Sequence, residues 1–204
     1  MKRIALAAAM ALALGGTAKA DLFDYAELMG GLTMAPELAT SGFDGDIETG
    51  LNVGGSLGWN LAPELSLEVE GFYTSSNMAG PLITGAHLET FSFMTNLLWS
   101  FDCGGKWRPY IGAGLGGAQV TVTDGNFNFL GTTAFTGDSD IVFAYQGFGG
   151  VSIPFDDSLA IFIEYRYQAA DDADLTITNN IGGQISISQE YQSHNLSAGL
   201  HISL

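Results

Sequence analysis

Eight segments of this 204-residue chain alternate apolar and polar residues with a period of two, and no stretch sustains a helical period. Successive side chains of a strand leave on opposite faces, so the pattern predicts strands with one apolar and one polar face. TGLNVGGSLGWNL (49–61) sets Leu51, Val53, Leu57, Trp59 and Leu61 against Asn52, Ser56, Gly58 and Asn60. LSLEVEGFYT (65–74) sets Leu65, Leu67, Val69 and Tyr73 against Ser66, Glu68, Glu70 and Thr74. The same alternation runs through TFSFMTNLLWSF (90–101), IVFAYQGFGGVSI (141–153), LAIFIEYRYQ (159–168) and the closing HNLSAGLHISL. YAELMGGLTM (25–34) and the glycine-rich WRPYIGAGLGGAQV (107–120) complete the eight.

The connections alternate in length. Three are short (APE, DCGGK and PFDDS), whereas 35–48, 75–87, 122–140 and 169–189 are long, with no linker-like shift in composition. That rhythm describes one up-and-down barrel. Which face points inward separates a soluble barrel from a membrane one. The apolar face is continuous and rich in bulky rings, while the opposite face is built from Gly, Ser, Asn and Ala. Trp59, Trp99 and Trp107 all fall beside short links, where amphipathic rings form an interfacial aromatic girdle, and Phe91, Phe143 and Tyr167 supply the other rim. The expected fold is all-β: an eight-stranded antiparallel up-and-down transmembrane β-barrel with short periplasmic turns and long extracellular loops. The alternative is a secreted soluble barrel of lipocalin type, reading the same alternation inside out.

The first residues set the compartment. Lys2 and Arg3, an apolar run from Ile4 to Leu14 and Ala18-Lys19-Ala20 have the layout of a cleaved secretory signal peptide. Residues 1–20 are therefore expected to be the signal and 21–204 the barrel domain. Cleavage leaves Lys106, Arg108 and Arg166 as the only basic residues against 22 acidic ones, which excludes nucleic-acid binding through a basic patch. A lone cysteine, Cys103, excludes an intramolecular disulfide.

The glycines at 112, 114, 116 and 117 invite a phosphate-loop reading. Such a loop must turn and open a helix so that its N–H groups converge on the anion, and here the chain continues as strand. Gly112, Gly114 and Gly116 share the face of Arg108 and Tyr110, so they are expected inside, making room for large groups from other strands. The inward face also carries Glu27, Glu68, Glu70, Arg108, Glu164 and Arg166, supported by Asn52, Asn60, Asn96 and Gln146. Desolvated charges must be paired, so these six predict a lumen ion-pair network that plugs the barrel. A proton or ion relay is the alternative use of the same residues.

No catalytic, cofactor or metal site is expected. Ser193 and His194 are adjacent on a strand and point to opposite faces, and His87 and His201 have no evident serine–acid partners. DGNFN (124–128) begins like a calcium loop but lacks the sixth-position glycine and the twelfth-position glutamate. FDGDIE (43–48) and DDAD (171–174) read as acidic loops on the outer side, with divalent-ion bridging to lipid phosphates as the sharper possibility.

WRPYIGAGLGGA, FAYQGFGGVSI, IEYRY and HNLSAGLHISL, in this order, resemble the small eight-stranded outer-membrane barrels of Gram-negative bacteria: the OmpA-like transmembrane domain and its opacity-protein and OmpX-type relatives. The resemblance covers essentially the whole chain after the signal. It implies residence in the Gram-negative outer membrane, insertion by the barrel-assembly machinery and a terminal recognition strand, here ending in Leu204 rather than an aromatic residue. A peptidoglycan-binding domain is not expected. The implied role is structural or surface-interacting: a monomer whose extracellular loops meet lipid, lipopolysaccharide, or a host or cell-surface ligand. A narrow porin-like channel is the alternative, and a lipid A-modifying enzyme a more distant one.

Overall fold

The structure is a computed structural model that describes residues 22–38, 46–79, 83–123, 125–128, 132–136, 138–179 and 184–204; the expected signal peptide lies outside them. In chain order the strands are β1 (Tyr25–Leu38), β2 (Asp46–Ile47), β3 (Gly50–Ala62), β4 (Leu65–Ala79), β5 (Ile83–Thr84) and β6 (His87–Ser100). They continue with β7 (Arg108–Val122), β8 (Gly125–Asn128), β9 (Thr132–Thr136), β10 (Ser139–Pro154), β11 (Leu159–Asn179) and β12 (Gln184–Ser203). The described residues contain no helix. The eight long strands pair antiparallel in the order β10-β7-β6-β4-β3-β1-β12-β11, and β10 pairs back onto β11. The ring is closed, so each wall strand has a neighbour on both sides and sheet edges are removed along the wall.

The alternation read from the sequence is the alternation of the wall. Leu51, Phe93, Ile111, Leu115 and Ile163 point out and are exposed, whereas Asn52, Ser92, Asn96, Gln146 and Glu164 point in and are buried. The interior is not all polar, however. Phe72, Tyr110, Phe148 and Phe162 are buried inside with Met29, and Tyr25 and Tyr191 are buried too. Sequence reasoning places Tyr110 inside with the glycines of its strand but expects bulky rings in general outside, because eight strands leave little room.

Glycine makes the room. Five inward rings each stand directly opposite an inward glycine of the adjacent strand: Tyr25 on Gly58, Phe72 on Gly54, Tyr110 on Gly150, Phe148 on Gly112 and Phe162 on Gly199. In every pair a Cβ on the glycine would collide with the aromatic side chain, as at Gly54, where it would lie 2.6 Å from Phe72 Cδ2. Gly114 and Gly116 serve the same purpose for the Asn96 amide and for the backbone and sulfur of Met94. The ring lies flat across the position its neighbour leaves empty, which packs the interior and covers the glycine backbone.

At the long-connection end the strands outrun the sequence pattern. The alternation predicts a loop over 169–189, but β11 and β12 continue as a hairpin, in register from Leu159↔Ile202 to Thr178↔Gln184 with one irregularity between Ala170 and Ala173. The DDAD stretch is therefore strand. β8 occupies most of the DGNFN stretch, and of FDGDIE the residues 43–45 lie outside the described residues. Pairing propagates beyond the membrane band, whereas the apolar–polar contrast stops once both faces meet water.

The β10–β11 ladder ends at Ala144↔Ala170. Beyond it, carboxylates replace strand pairing: the Asp174 amide donates to Asp140 Oδ2 (3.0 Å) and the Thr176 amide to Asp138 Oδ2 (2.9 Å). The other oxygens accept from Ile141 and Ser139, each at 2.8 Å. Bonds from the Thr176 and Ser139 amides hold the Asp138 carboxyl below its usual range.

Two outcomes follow from this architecture. Gly112→Leu should destabilise the barrel by about 1–3 kcal/mol or more in a urea titration, whereas Gly147→Leu, on the outer face, should stay within about 0.5 kcal/mol of the parent. Asp138→Ala with Asp140→Ala should speed hydrogen exchange at the Asp174 and Thr176 amides by about tenfold, while Ile161 to Arg166 keep their protection.

The barrel lumen as candidate functional site

Arg166 enters the lumen from β11 and is 1% exposed. β11 and β4 stand on opposite sides of the eight-strand ring, so its contact with Glu70 crosses the full interior. Nη1 meets Glu70 Oε1 and Nη2 lies 2.7 Å from Glu70 Oε2, a two-pronged contact. Nη2 and Nε also donate to Glu164 Oε1, at 2.7 and 3.1 Å, and Nη1 reaches Gln146 Oε1 at 3.3 Å. Planar guanidinium geometry suits this arrangement, because the fixed fork of N–H donors serves two carboxylates at once. The Phe72 and Phe148 rings lie 4.6 and 5.0 Å from Cζ, adding cation–π contact.

A second layer fixes the carboxylates. Tyr110 donates to Glu164 Oε2 at 3.0 Å, and Gln146 Nε2 donates to Glu70 Oε1 at 3.1 Å and to Asn96 Oδ1 at 2.7 Å. Gln168 Nε2 donates to Ser92 Oγ at 2.9 Å. Toward the long connections an apolar cluster forms, with Leu88, Met94, Val120 and Val122 buried beside Tyr191 and interleaved with buried Thr74, Ser76 and Thr90. The lumen thus holds a charged waist and an uncharged upper half.

Of the six charged residues expected in one network, Glu70, Glu164 and Arg166 meet. Glu27 and Glu68 form a separate group nearer the short turns: Tyr25 donates to Glu68 Oε1 at 2.7 Å, Ser56 to Glu27 Oε2 at 3.4 Å, and His201 Nδ1 lies 2.8 Å from Glu27 Oε1. Arg108 hydrogen-bonds to neither group. It is the first residue of β7 and stands exposed at the rim. His201 escapes sequence reasoning as a partner because its carboxylate lies 174 positions away in the chain. The register Glu27↔His201 comes from barrel closure between the first and last wall strands, which no local signal announces.

The Ser56–Glu27–His201 group is not arranged for nucleophilic catalysis. The carboxylate lies between the hydroxyl and the imidazole, whereas activation requires the base next to the nucleophile. Ser193 is fully buried and His194 points outward, so these neighbours occupy opposite faces. The three tryptophans stand at the short-turn end. Trp59 donates to the Leu22 carbonyl at 2.7 Å and packs on Phe23, while Trp99 and Trp107 are 46% and 62% exposed.

Arg166→Ala should cost about 3–5 kcal/mol, because it strands two buried carboxylates. Adding Glu70→Gln and Glu164→Gln should recover part of that loss, since no buried charge then lacks a partner. Unfolding midpoints of the single and triple variants in lipid vesicles provide the comparison.

The sequence matches the family described as "Outer membrane protein beta-barrel domain" over residues 4–202. No curated protein matches it in sequence. Among solved structures, Neisserial surface protein A (NspA) superposes with a TM-score of 0.62 at 16% identity, covering 89% of this chain and 97% of that one. OprG from Pseudomonas aeruginosa gives 0.54 at 12% identity, with 89% and 97% covered. A major outer membrane protein from Thermus thermophilus gives 0.50 at 11% identity, with 87% and 99% covered. With the closed ring, the apolar outer face and a family match across nearly its whole length, the chain belongs to the outer membrane protein beta-barrel domain family.

Proposed function

We propose that this barrel is a sealed scaffold with a structural or surface-interaction role, acting through what it displays at the long-connection end. The observation that carries this reading is the Arg166 node, where one buried guanidinium binds carboxylates from its own strand and from the opposite wall. A solute passing along the axis would have to break several charge-assisted bonds at once in a site that excludes water. The glycine-seated rings close the space around it.

In this reading residues 1–20 are removed on export and 21–204 form the inserted barrel. The short turns face the periplasm, and Trp59, Trp99 and Trp107 form an interfacial girdle there. The long connections face outward, toward lipopolysaccharide or another cell's surface. The order Ser56–Glu27–His201 supports a non-catalytic role, since no base is placed to activate the serine.

Planar-bilayer recordings of the purified protein should show no stable current at neutral pH, and Arg166→Ala should admit flickering cation conductance. Steady, cation-selective openings from the unmutated protein would instead establish the porin-like channel. Lipid A released in shortened form at enzymatic rates, followed by mass spectrometry, would overturn the non-catalytic assignment.

A further inference from the structure

The outward face of β11 and β12 carries a polar feature that the lumen does not use. Tyr165 Oη lies 2.6 Å from His194 Nδ1, with the two rings stacked at a centroid separation of 6.0 Å and 25° between planes. The Tyr167 ring lies 5.2 Å from the same imidazole. On the adjacent β10, Gly147 stands opposite Tyr167 and Gly149 opposite Tyr165, and Tyr145 is exposed one outward position beyond them. A Cβ on Gly147 would meet nothing within 4 Å, so this glycine leaves an open shelf beside the rings, whereas one on Gly149 would lie 3.3 Å from the Tyr110 carbonyl oxygen and 3.6 Å from Ile111 Cγ2.

The shelf sits at a border. Outward side chains of β12 are apolar from Ile202 through Leu200 to Leu196, and His194 is the first polar one. On β11, Ile161 and Ile163 precede the tyrosines, and Asp171 and Asp172 follow them, exposed. On β11 and β12 the apolar run therefore ends at the platform, the level at which rings with one polar edge are favoured, while on β10 Phe143 and Ile141 carry exposed apolar side chains beyond it.

Its chemistry selects the ligand. In either tautomer of His194 the pair leaves one donor and one acceptor free: Nε2–H and a phenolic lone pair when Tyr165 donates to Nδ1, or the phenolic O–H and a bare Nε2 when Nδ1 donates to Tyr165. Donors and acceptors set side by side on a flat aromatic surface suit the hydroxyls and the apolar C–H face of a sugar. An anionic headgroup fits poorly. Beyond the first 20 residues the bases are Lys106 and Arg108, both at the short-turn end, and the buried Arg166, whereas Asp171, Asp172 and Glu190 flank the platform. We propose that Tyr165, Tyr167 and His194, with the open shelf at Gly147, bind the sugar headgroup of a glycolipid in the leaflet at the long-connection end. The proposal deepens the surface-interaction reading but does not depend on a closed lumen, so conductance data leave it untouched.

The test uses the full chain in phosphatidylcholine nanodiscs carrying a minor fraction of monoglucosyl diacylglycerol or of phosphatidic acid, with retained lipid counted by native mass spectrometry. The unmutated protein should keep the glucolipid in preference to both other lipids. His194→Ala, Tyr165→Phe and Gly147→Leu should each lower its retention by about tenfold, the size expected for one neutral hydrogen bond or an equivalent contact. All three variants should still show the gel shift on boiling that marks a folded barrel, because the side chains they change face outward. Equal glucolipid retention by the parent and all three variants would overturn the site. Preferential retention of phosphatidic acid would overturn the sugar assignment, and methyl glucoside binding as tightly as the glucolipid would overturn the glycolipid one.

Discussion

Closing eight strands into a ring creates an interior just wide enough for side chains to fill, and the rest of this molecule follows from that limit. Every inward group must fit beside its counterparts from the opposite wall, and every buried charge must find a partner in the lumen. Sterically the answer is glycine set against aromatic: five rings each occupy the volume their cross-strand neighbour gives up. Electrostatically it is a single guanidinium that satisfies Glu70 and Glu164 together. The glycine–ring pairs need only adjacent strands, whereas the guanidinium needs the full ring, because Glu70 comes from the opposite wall.

The same limit separates the two halves of the lumen. Near the waist, desolvated carboxylates demand donors, and Arg166, Tyr110 and Gln146 supply them. Toward the long connections Leu88, Val120 and Val122 need none. Outside, the apolar band ends at Leu196 on β12 and the strands run on into water, held at the β10–β11 seam by two aspartates rather than by a continuous ladder. Side-chain carboxylates there stand in for a missing strand, satisfying amides that the divergence of β10 and β11 leaves open.

How much of this is legible in the chain depends on the range of the signal. Asn52 against Leu51, or Glu164 against Ile163, declares its face through its immediate neighbours, so the wall strands and their orientation can be read by eye. The glycines at 112, 114 and 116 can be read as spacers from their shared face with Tyr110, but not the side chains they make room for. The continuation of β11 to Asn179 escapes because alternation fades where lipid no longer enforces it. The inward rings at 72, 148 and 162 also break the expected rule, since a glycine across the ladder is invisible from the strand that carries the ring.

Period-two alternation, the placement of the tryptophans and the scarcity of basic residues determine by themselves that the chain forms a barrel with its apolar face outward. These are one-dimensional properties: each residue's side follows from its parity along its own strand. Which charges meet is a property of register between strands far apart in the chain. Glu27 finds His201 only when the first wall strand closes on the last, Glu70 reaches Arg166 only across the finished ring, and Arg108, on the right face by parity, stands exposed at the rim because height along the barrel matters as much as face.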